Sequence, residues 1–592
     1  MKRLKLLLKL LVYRPWTYLL DVFLWSIIEV LPLLNGLIIK AILDGFDKSY
    51  RVDENFWNLI AGIIVLYIVR ILFTYAGTIN YVFYDSSITG LLRQNLLKII
   101  LKRPGAKALK ISPGEAISRF RDDVEDVSDM FDWPIDAFGK FLRASAATVI
   151  LLKVDAKLTL MVFMPLLAVI TIIQQLRGRI RKYKEASREA TSQVVGAVGE
   201  IFSSVQAVQA AGAEKHIIKH FKMLSQKRHR TAIRDTQFVK LLETATDNVV
   251  NLGTGLILLL SASSIIKGDF TIGDFALFTT YWYHIADFTD IFGGCLSAYH
   301  QGCVAFDRLI EFIDDAPSEK LICHEPLYLK GEPQIIEVKT EDNFVEKLNT
   351  LEIKNLSYSF LNSQGGIKDI NFKVEKGSFT VITGKVGCGK STLLRVILGL
   401  LPRDKGVIIW NNTEVSNPGE FFIPPAAAYT AQVPHLFSDT IRNNILLGLD
   451  SNDEKRIGDA IYSSVMEKDM EGFQEGLETV IGPRGVKLSG GQIQRVAAAR
   501  MFANKAQVYF FDDISSALDV ETENILWDRM DLMDGNTCIA VSNRRGALER
   551  ADQIIVMEEG RIEAIGTLDE LMKNCEEFKQ IYGQKVQVSK TA

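Results

Sequence analysis

Residues 384–392 read Gly384-Lys385-Val386-Gly387-Cys388-Gly389-Lys390-Ser391-Thr392, a spacing suited to holding phosphate. Glycines let successive backbone N–H groups curl around an anion. Lys390 then reaches the outer phosphates, and the Ser391 hydroxyl is a hard ligand for Mg2+. The preceding run, Phe379-Thr380-Val381-Ile382-Thr383, is β-rich and apolar, and an apolar helical pattern follows. The loop therefore joins a strand to a helix, which a bare glycine turn would not require. A second strand, Val508-Tyr509-Phe510-Phe511, ends in Asp512-Asp513. Acids after a strand often cap the next helix. Beside a phosphate loop, though, the pair puts Asp512 at the carboxyl edge of a parallel sheet, where the metal would sit.

These elements occupy only the second half of the chain. With 592 residues, 48% hydrophobic and 23% charged, more than one domain is required. The net charge of −3 gives no reason to expect a nucleic-acid partner. Six cysteines (Cys295, Cys303, Cys323, Cys388, Cys538, Cys575) have neither CxxC nor metal-ligand spacing and read as reduced thiols. Long apolar runs fill the first 300 positions. Spans of the length a bilayer needs are expected near 17–41, 57–78, 137–153, 156–176, 245–267 and 271–294. The third and fourth are short and close together, so a buried hairpin of a soluble domain is the competing reading. The division expected is a transmembrane domain over 1–315, a linker over 316–349 and a nucleotide-binding domain over 350–592. The fold class is thus a membrane all-α domain, its six helices carrying long cytoplasmic extensions, plus an α/β phosphate-loop domain.

Orientation follows from Lys and Arg, which concentrate over 177–243 and mark that segment as cytoplasmic. The other long polar connection, 79–136, lies on the same side, as do the N-terminus and the C-terminal domain. The opening stretch Lys2-Arg3-Leu4-Lys5-Leu6-Leu7-Leu8-Lys9 is basic and amphipathic and suits a helix in the headgroup layer. A cleaved signal peptide fits less well, because the run at 17–41 is too long.

About 20 residues before the Asp pair stands Leu488-Ser489-Gly490-Gly491-Gln492, and here the sequence resembles the ATP-binding-cassette family, whose LSGGQ motif it reproduces. The resemblance extends to Gln432 in Ala431-Gln432-Val433-Pro434, which looks like the Q-loop, and to Ser516-Ala517-Leu518-Asp519, which looks like the D-loop. Phe360 resembles the aromatic that stacks on adenine. With six spans before the cassette, the resemblance covers nearly the whole chain and points to exporter-type half-transporters in the bacterial inner or plasma membrane. It implies ATP and Mg2+ as cofactors, with Ser391, Gln432 and Asp512 on the metal side and Gln432, Asp513 and Asn543 around the attacking water. It also implies that Leu488 to Gln492 and Asp519 cap ATP held by a second chain. Closure of two cassettes would pull on the membrane helices through coupling helices near 103–115 and 203–217.

The sequence departs from that family at two positions. The family usually has Glu where Asp513 stands, and His where Asn543 stands in Val541-Ser542-Asn543-Arg544. One methylene fewer draws the carboxylate back by roughly an ångström, a displacement that can cost on the order of a hundredfold in rate. Asn543 can donate a hydrogen bond but cannot carry a proton or charge. The last histidine of the chain is His435. A slow site in a heterodimer is therefore the favoured expectation, with a self-sufficient homodimer and an ATP-gated channel or regulatory subunit as alternatives. A fused membrane and cassette order argues against an importer. Ile481-Gly482-Pro483-Arg484-Gly485 also departs, since relatives often have an acid at the Pro483 position.

Inside the spans Asp21, Glu29, His284, Asp287 and Asp290 are costly in lipid. They are candidates for contact with an amphipathic small molecule, lipid or peptide as cargo, or for pairing with Lys140 or Arg143. Tyr281, Trp282 and Tyr283 could add cation–π contacts, or could simply pack.

Overall fold

The structure is a computed structural model. It describes residues 2–48, 54–103, 111, 113–267, 270–313, 316–329, 346–360, 365–449, 453–482, 486–514, 518–531 and 535–588. The chain divides into two compact units, Met1–Ile100 with Ile111–Gln334, and Leu101–Lys110 with Ile335–Ala592.

The first unit is helical. A short α1 (Lys2–Leu11) precedes six long helices: α2 (Pro15–Lys48), α3 (Glu54–Leu101), α5 (Val124–Val154), α6 (Ala156–Ser203), α8 (Glu214–Lys267) and α9 (Ile272–Ile313). Each of the six holds one expected span. The 48 residues of α3 or α6 extend about 72 Å, more than twice the roughly 30 Å of a bilayer core. Such helices must project as stalks. Among the described residues, only Pro15–Phe46 and Glu54–Leu101 are long and apolar enough to cross a membrane by composition alone. The third span carries charge, Lys140 and Arg143 in α5.

Asp155 breaks the hairpin between α5 and α6. Its backbone is extended, and its side chain accepts from the Leu158 N–H, capping α6. Between α3 and α5 lies α4 (Pro113–Ser118), followed by a single π-helical turn, Arg119–Asp123. The buried Asp123 in that turn is held by Arg119 at 2.8 Å and by Arg308 of α9 at 3.5 Å. Of the expected coupling segments, 104–110 lies outside the described residues, whereas Val205–Ala210 forms a separate short helix, α7, with no buried side chain. Helices α2, α5 and α9 pack side by side, and α6 packs along α8.

Charge inside the bundle is largely neutralised. Arg143, only 7% exposed at its side chain, pairs with Glu29 at 2.7 Å and also with Asp287. Removing one partner of such a group leaves an uncompensated buried charge. Glu29 and Asp287 therefore take the pairing alternative. Tyr281 and Trp282 are buried among apolar neighbours, the Tyr281 hydroxyl donating to the Leu33 carbonyl, so these two pack. His284 is half-buried and edge-on to Tyr283, which is 59% exposed. The side chain of Asp290 lies outside the described residues.

The second unit holds two sheets. Strands β1 (Thr350–Ser359), β2 (Gly366–Glu375), β4 (Lys405–Trp410) and β5 (Thr413–Glu414) form an antiparallel sheet ordered β2-β1-β4-β5. The other sheet runs β10-β9-β3-β8-β7-β6, with β3 (Phe379–Gly384), β6 (Ala427–Thr430), β7 (Val508–Asp512), β8 (Thr537–Val541) and β9 (Gln553–Glu558) parallel and β10 (Arg561–Gly566) antiparallel at the edge. The central strands are buried on both faces, as a parallel sheet between layers requires. Alternation sends Val508 and Phe510 into one core and Tyr509 and Phe511 into the other.

Candidate functional site

Sheet order positions the chemistry. Strand β8 lies between β3 and β7, with Val541 facing Ile382 on one side and Asp512 on the other. The glycine loop leaves the carboxyl end of β3, the acid pair leaves β7, and Asn543 leaves β8 between them. Ligands of open α/β sheets bind at this edge.

Gly384, Gly387 and Gly389 take φ of 148°, 89° and 103°, values that L side chains rarely adopt. A Cβ on Gly384 would stand 2.3 Å from the Met557 carbonyl oxygen, so alanine is excluded there by space as well. The loop ends at helix α10 (Lys390–Ile397), whose N-terminal N–H groups complete an anion cradle. Lys390 Nζ donates to the carbonyls of Gly384 at 2.7 Å and Lys385 at 2.8 Å, which fixes the ammonium over the loop. Ser391 Oγ donates to Asp512 Oδ1 at 2.6 Å. Asp512 is fully buried, and Tyr429 Oη approaches its other oxygen at 3.4 Å. A hydroxyl and a carboxylate converge here as hard oxygen donors, which suits Mg2+ completed by phosphate oxygens and water.

Asp513 follows with a left-handed backbone, φ 53°, and its N–H donates to the Val541 carbonyl. Gln432 Nε2 donates to Asp513 Oδ2 at 3.3 Å. Burial raises the Asp513 carboxyl above the ordinary range, opposed by Gln432 and Arg544. An acid that orients water must be ionised. Hydrolysis at this site should therefore fall, as pH is lowered, at a higher pH than a solvent-exposed aspartate (about 3.9) would set. A pH–rate profile of ATP hydrolysis by the chain checks this. Asp513→Asn should abolish that acid limb.

Asn543 turns toward the loop. Its Oδ1 accepts from Thr383 Oγ1 at 2.9 Å and from the Gly384 N–H at 3.4 Å, and its Nδ2 donates to the Gly384 carbonyl at 3.2 Å. Arg544 donates to the Leu518 carbonyl at 3.0 Å and pairs with Glu523 at 2.9 Å. Phe360, 41% exposed, stands edge-on to Tyr358. A cleft of about 460 Å³ gathers Phe360, Val386, Gly387, Gly389, Lys390, Ser391, Thr392, Gln432, Asp513 and Asn543. The Cys388 side chain is buried beneath the loop, and Lys385 reaches outward to Glu577 at 2.7 Å. These two belong to the loop through their backbone.

Ser489 and Gln492 lie elsewhere and do not line that cleft. Ser489 caps the helix Gly490–Ala503, its hydroxyl accepting from the Gln492 N–H at 3.3 Å while Gln492 Oε1 accepts from the Ser489 N–H at 2.9 Å. This reciprocal box leaves Ser489 and Gly490 exposed at a helix N-terminus, with Leu488 buried as the anchor and Gly491 partly buried. The Asp519 carboxylate caps its own helix, accepting from the N–H and hydroxyl of Thr522 at 2.9 and 2.8 Å, which holds its pKa low. Ser516, Ala517 and Pro483 lie outside the described residues. Sequence reasoning missed Thr383, whose hydroxyl fastens Asn543. It also missed Arg500, which ties the carbonyls of His435 and Asn444 at 3.2 and 2.7 Å just beyond Gln432. A single threonine or arginine in a buried segment gives no periodic signal.

Residues 19–285 match the family described as ABC transporter transmembrane region, and residues 367–516 the one described as ABC transporter. The chain is an ABC transporter. Its relatives include a Rickettsia bellii protein provisionally named export ATP-binding/permease protein, 27% identical over 566 residues and 93% of each chain. The Bacillus subtilis protein YgaD, provisionally named multidrug export ATP-binding/permease protein, is 27% identical over 579 residues and 96% of each chain. A solved structure described as a bacterial Atm1-family ABC exporter with ATP bound shares the fold, with a TM-score of 0.76 at 19% identity over 97% of this chain and 98% of that one. This ABC transporter thus joins one transmembrane region to one nucleotide-binding domain, as half-size ABC exporters do.

Proposed function

We propose that this chain exports an amphipathic molecule across a membrane, driven by ATP, as one half of a dimer. The carrying observation is that Ser489 and its helix N-terminus are exposed and stand apart from the glycine-loop cleft of the same chain. A phosphate-binding helix end with no phosphate loop facing it suits a second cassette, as the family resemblance implies. The names of the Rickettsia and Bacillus relatives support export. ATP would be held by Gly384 to Thr392 and Phe360, and Mg2+ by Ser391, Asp512 and Gln432. The domain division at 1–315, 316–349 and 350–592 belongs to the same reading.

The partner we favour is a different half-transporter. Asp513 is short by one methylene. The Asn543 amide has both ends engaged by Thr383 and Gly384, and unlike an imidazole it cannot carry a proton or charge to a γ-phosphate. Such a site holds nucleotide and turns it over slowly, while the Leu488–Gln492 segment completes a fast site elsewhere. A homodimer is the second reading, favoured by the Gln432–Asp513 contact that keeps an acid at the water position. ATPase assay of the purified chain in nanodiscs separates them. The heterodimer predicts near-background turnover alone and strong stimulation by a partner carrying Glu and His, whereas vigorous turnover alone overturns it.

A further inference from the structure

Asp512 has no exposed surface, and a buried carboxylate persists only where donors meet its oxygens. Ser391 satisfies Oδ1. Oδ2 turns the other way, toward the Tyr429 hydroxyl at 3.4 Å and Arg395 Nη2 at 3.7 Å. Among the described residues Arg395 is the one cation within 4 Å of Asp512. Lys390 is spent on the carbonyls of Gly384 and Lys385.

Three adjacent elements bring these groups together. Tyr429 lies on β6, paired with Phe510 of β7, the strand that ends in Asp512, and Arg395 lies on α10, the helix that begins at Lys390. Arg395 also donates to the Tyr429 hydroxyl, which leaves the hydroxyl's own proton for Asp512. The result is a relay from Arg395 through Tyr429 to Asp512 Oδ2, which resists rotation of the carboxylate and keeps Oδ1 aimed at Ser391. The guanidinium is 44% exposed, so water screens its charge and its main effect is to pin Tyr429. Orientation matters at this position because Mg2+ tolerates little departure from octahedral geometry. Groups that orient a metal ligand typically carry about 10- to 100-fold of metal affinity.

We propose that Tyr429, held by Arg395, is the positioning residue that aims Asp512 at Mg2+ and so sets how much magnesium the nucleotide site requires. This rests on the ATP and Mg2+ reading and adds a further group to that site. The test measures binding rather than turnover: the purified full-length chain in nanodiscs is titrated with a mant-labelled, non-hydrolysable ATP analogue, in EDTA and across a range of Mg2+ concentrations. Tyr429→Phe keeps the ring and drops the hydroxyl. It should leave affinity in EDTA unchanged and raise the half-saturating Mg2+ concentration about tenfold or more. Arg395→Gln, which keeps a donor but loses the rigid fork, should move that midpoint the same way by a smaller factor. Mn2+ electron paramagnetic resonance on the same samples reads bound metal directly and should rank the variants in the same order. An unchanged midpoint in Tyr429→Phe overturns the proposal. So does a matching loss of affinity in EDTA, which would make Tyr429 a packing residue of β6. A larger shift in Arg395→Gln than in Tyr429→Phe also overturns it, because charge rather than orientation would then govern the metal. An unaltered chain that binds the analogue equally with and without Mg2+, or not at all, defeats the cofactor reading itself, before any variant is compared.

Discussion

Exchanging Asp513 for Glu and Asn543 for His together should raise hydrolysis at this chain's own site by about two orders of magnitude. The extra methylene advances the carboxylate toward the water position, and an imidazole carries the proton and charge that an amide cannot. Neither change alone should deliver that gain, because groups acting on one water behave as a unit. The exchange has a structural cost. Thr383 and Gly384 lose the amide that now satisfies both, and an orphaned buried group costs about 1–3 kcal/mol, so the melting temperature should fall. Phosphate release, measured in an assembled transporter whose partner site is silenced, decides the matter. An unchanged rate would mean that these positions are not the brake.

Lys390→Ala should weaken ATP binding at this chain's own loop roughly 10- to 100-fold, the range for a lost hydrogen bond to a charged group. Ser489→Ala should leave that affinity alone. It removes a helix cap, about 1 kcal/mol, and on the proposed dimer should instead impair the nucleotide held by the other cassette. Fluorescent-nucleotide titration of each variant, alone and with a partner, separates the two effects. A loss of own-site affinity in Ser489→Ala as large as in Lys390→Ala would defeat the assignment across chains.

Much of this architecture was legible in the residues. Glycine spacing, the apolar strand before it and the acid pair after β7 encode their own geometry, because a phosphate cradle needs positive φ, N–H groups and a carboxylate at one sheet edge. The six long helices were legible for a similar reason, since hydrocarbon thickness sets the length of an apolar run. Pairing inside the bundle was not. Arg143 meets Glu29 and Asp287 across three helices, and nothing in local spacing tells which carboxylate wins the guanidinium. The inward turn of Asn543 was equally hidden, resting on one hydroxyl 160 positions earlier.

The last helix, Glu576–Val588, is fastened to the glycine loop by Glu577, which grips Lys385. It also lies against the segment just past Asn543, where the Arg545 guanidinium covers the Tyr582 ring and Tyr582 donates to Glu549. Whatever seizes the outer side of this helix, an antibody fragment or a regulatory protein, has a lever on nucleotide affinity without ever entering the cleft.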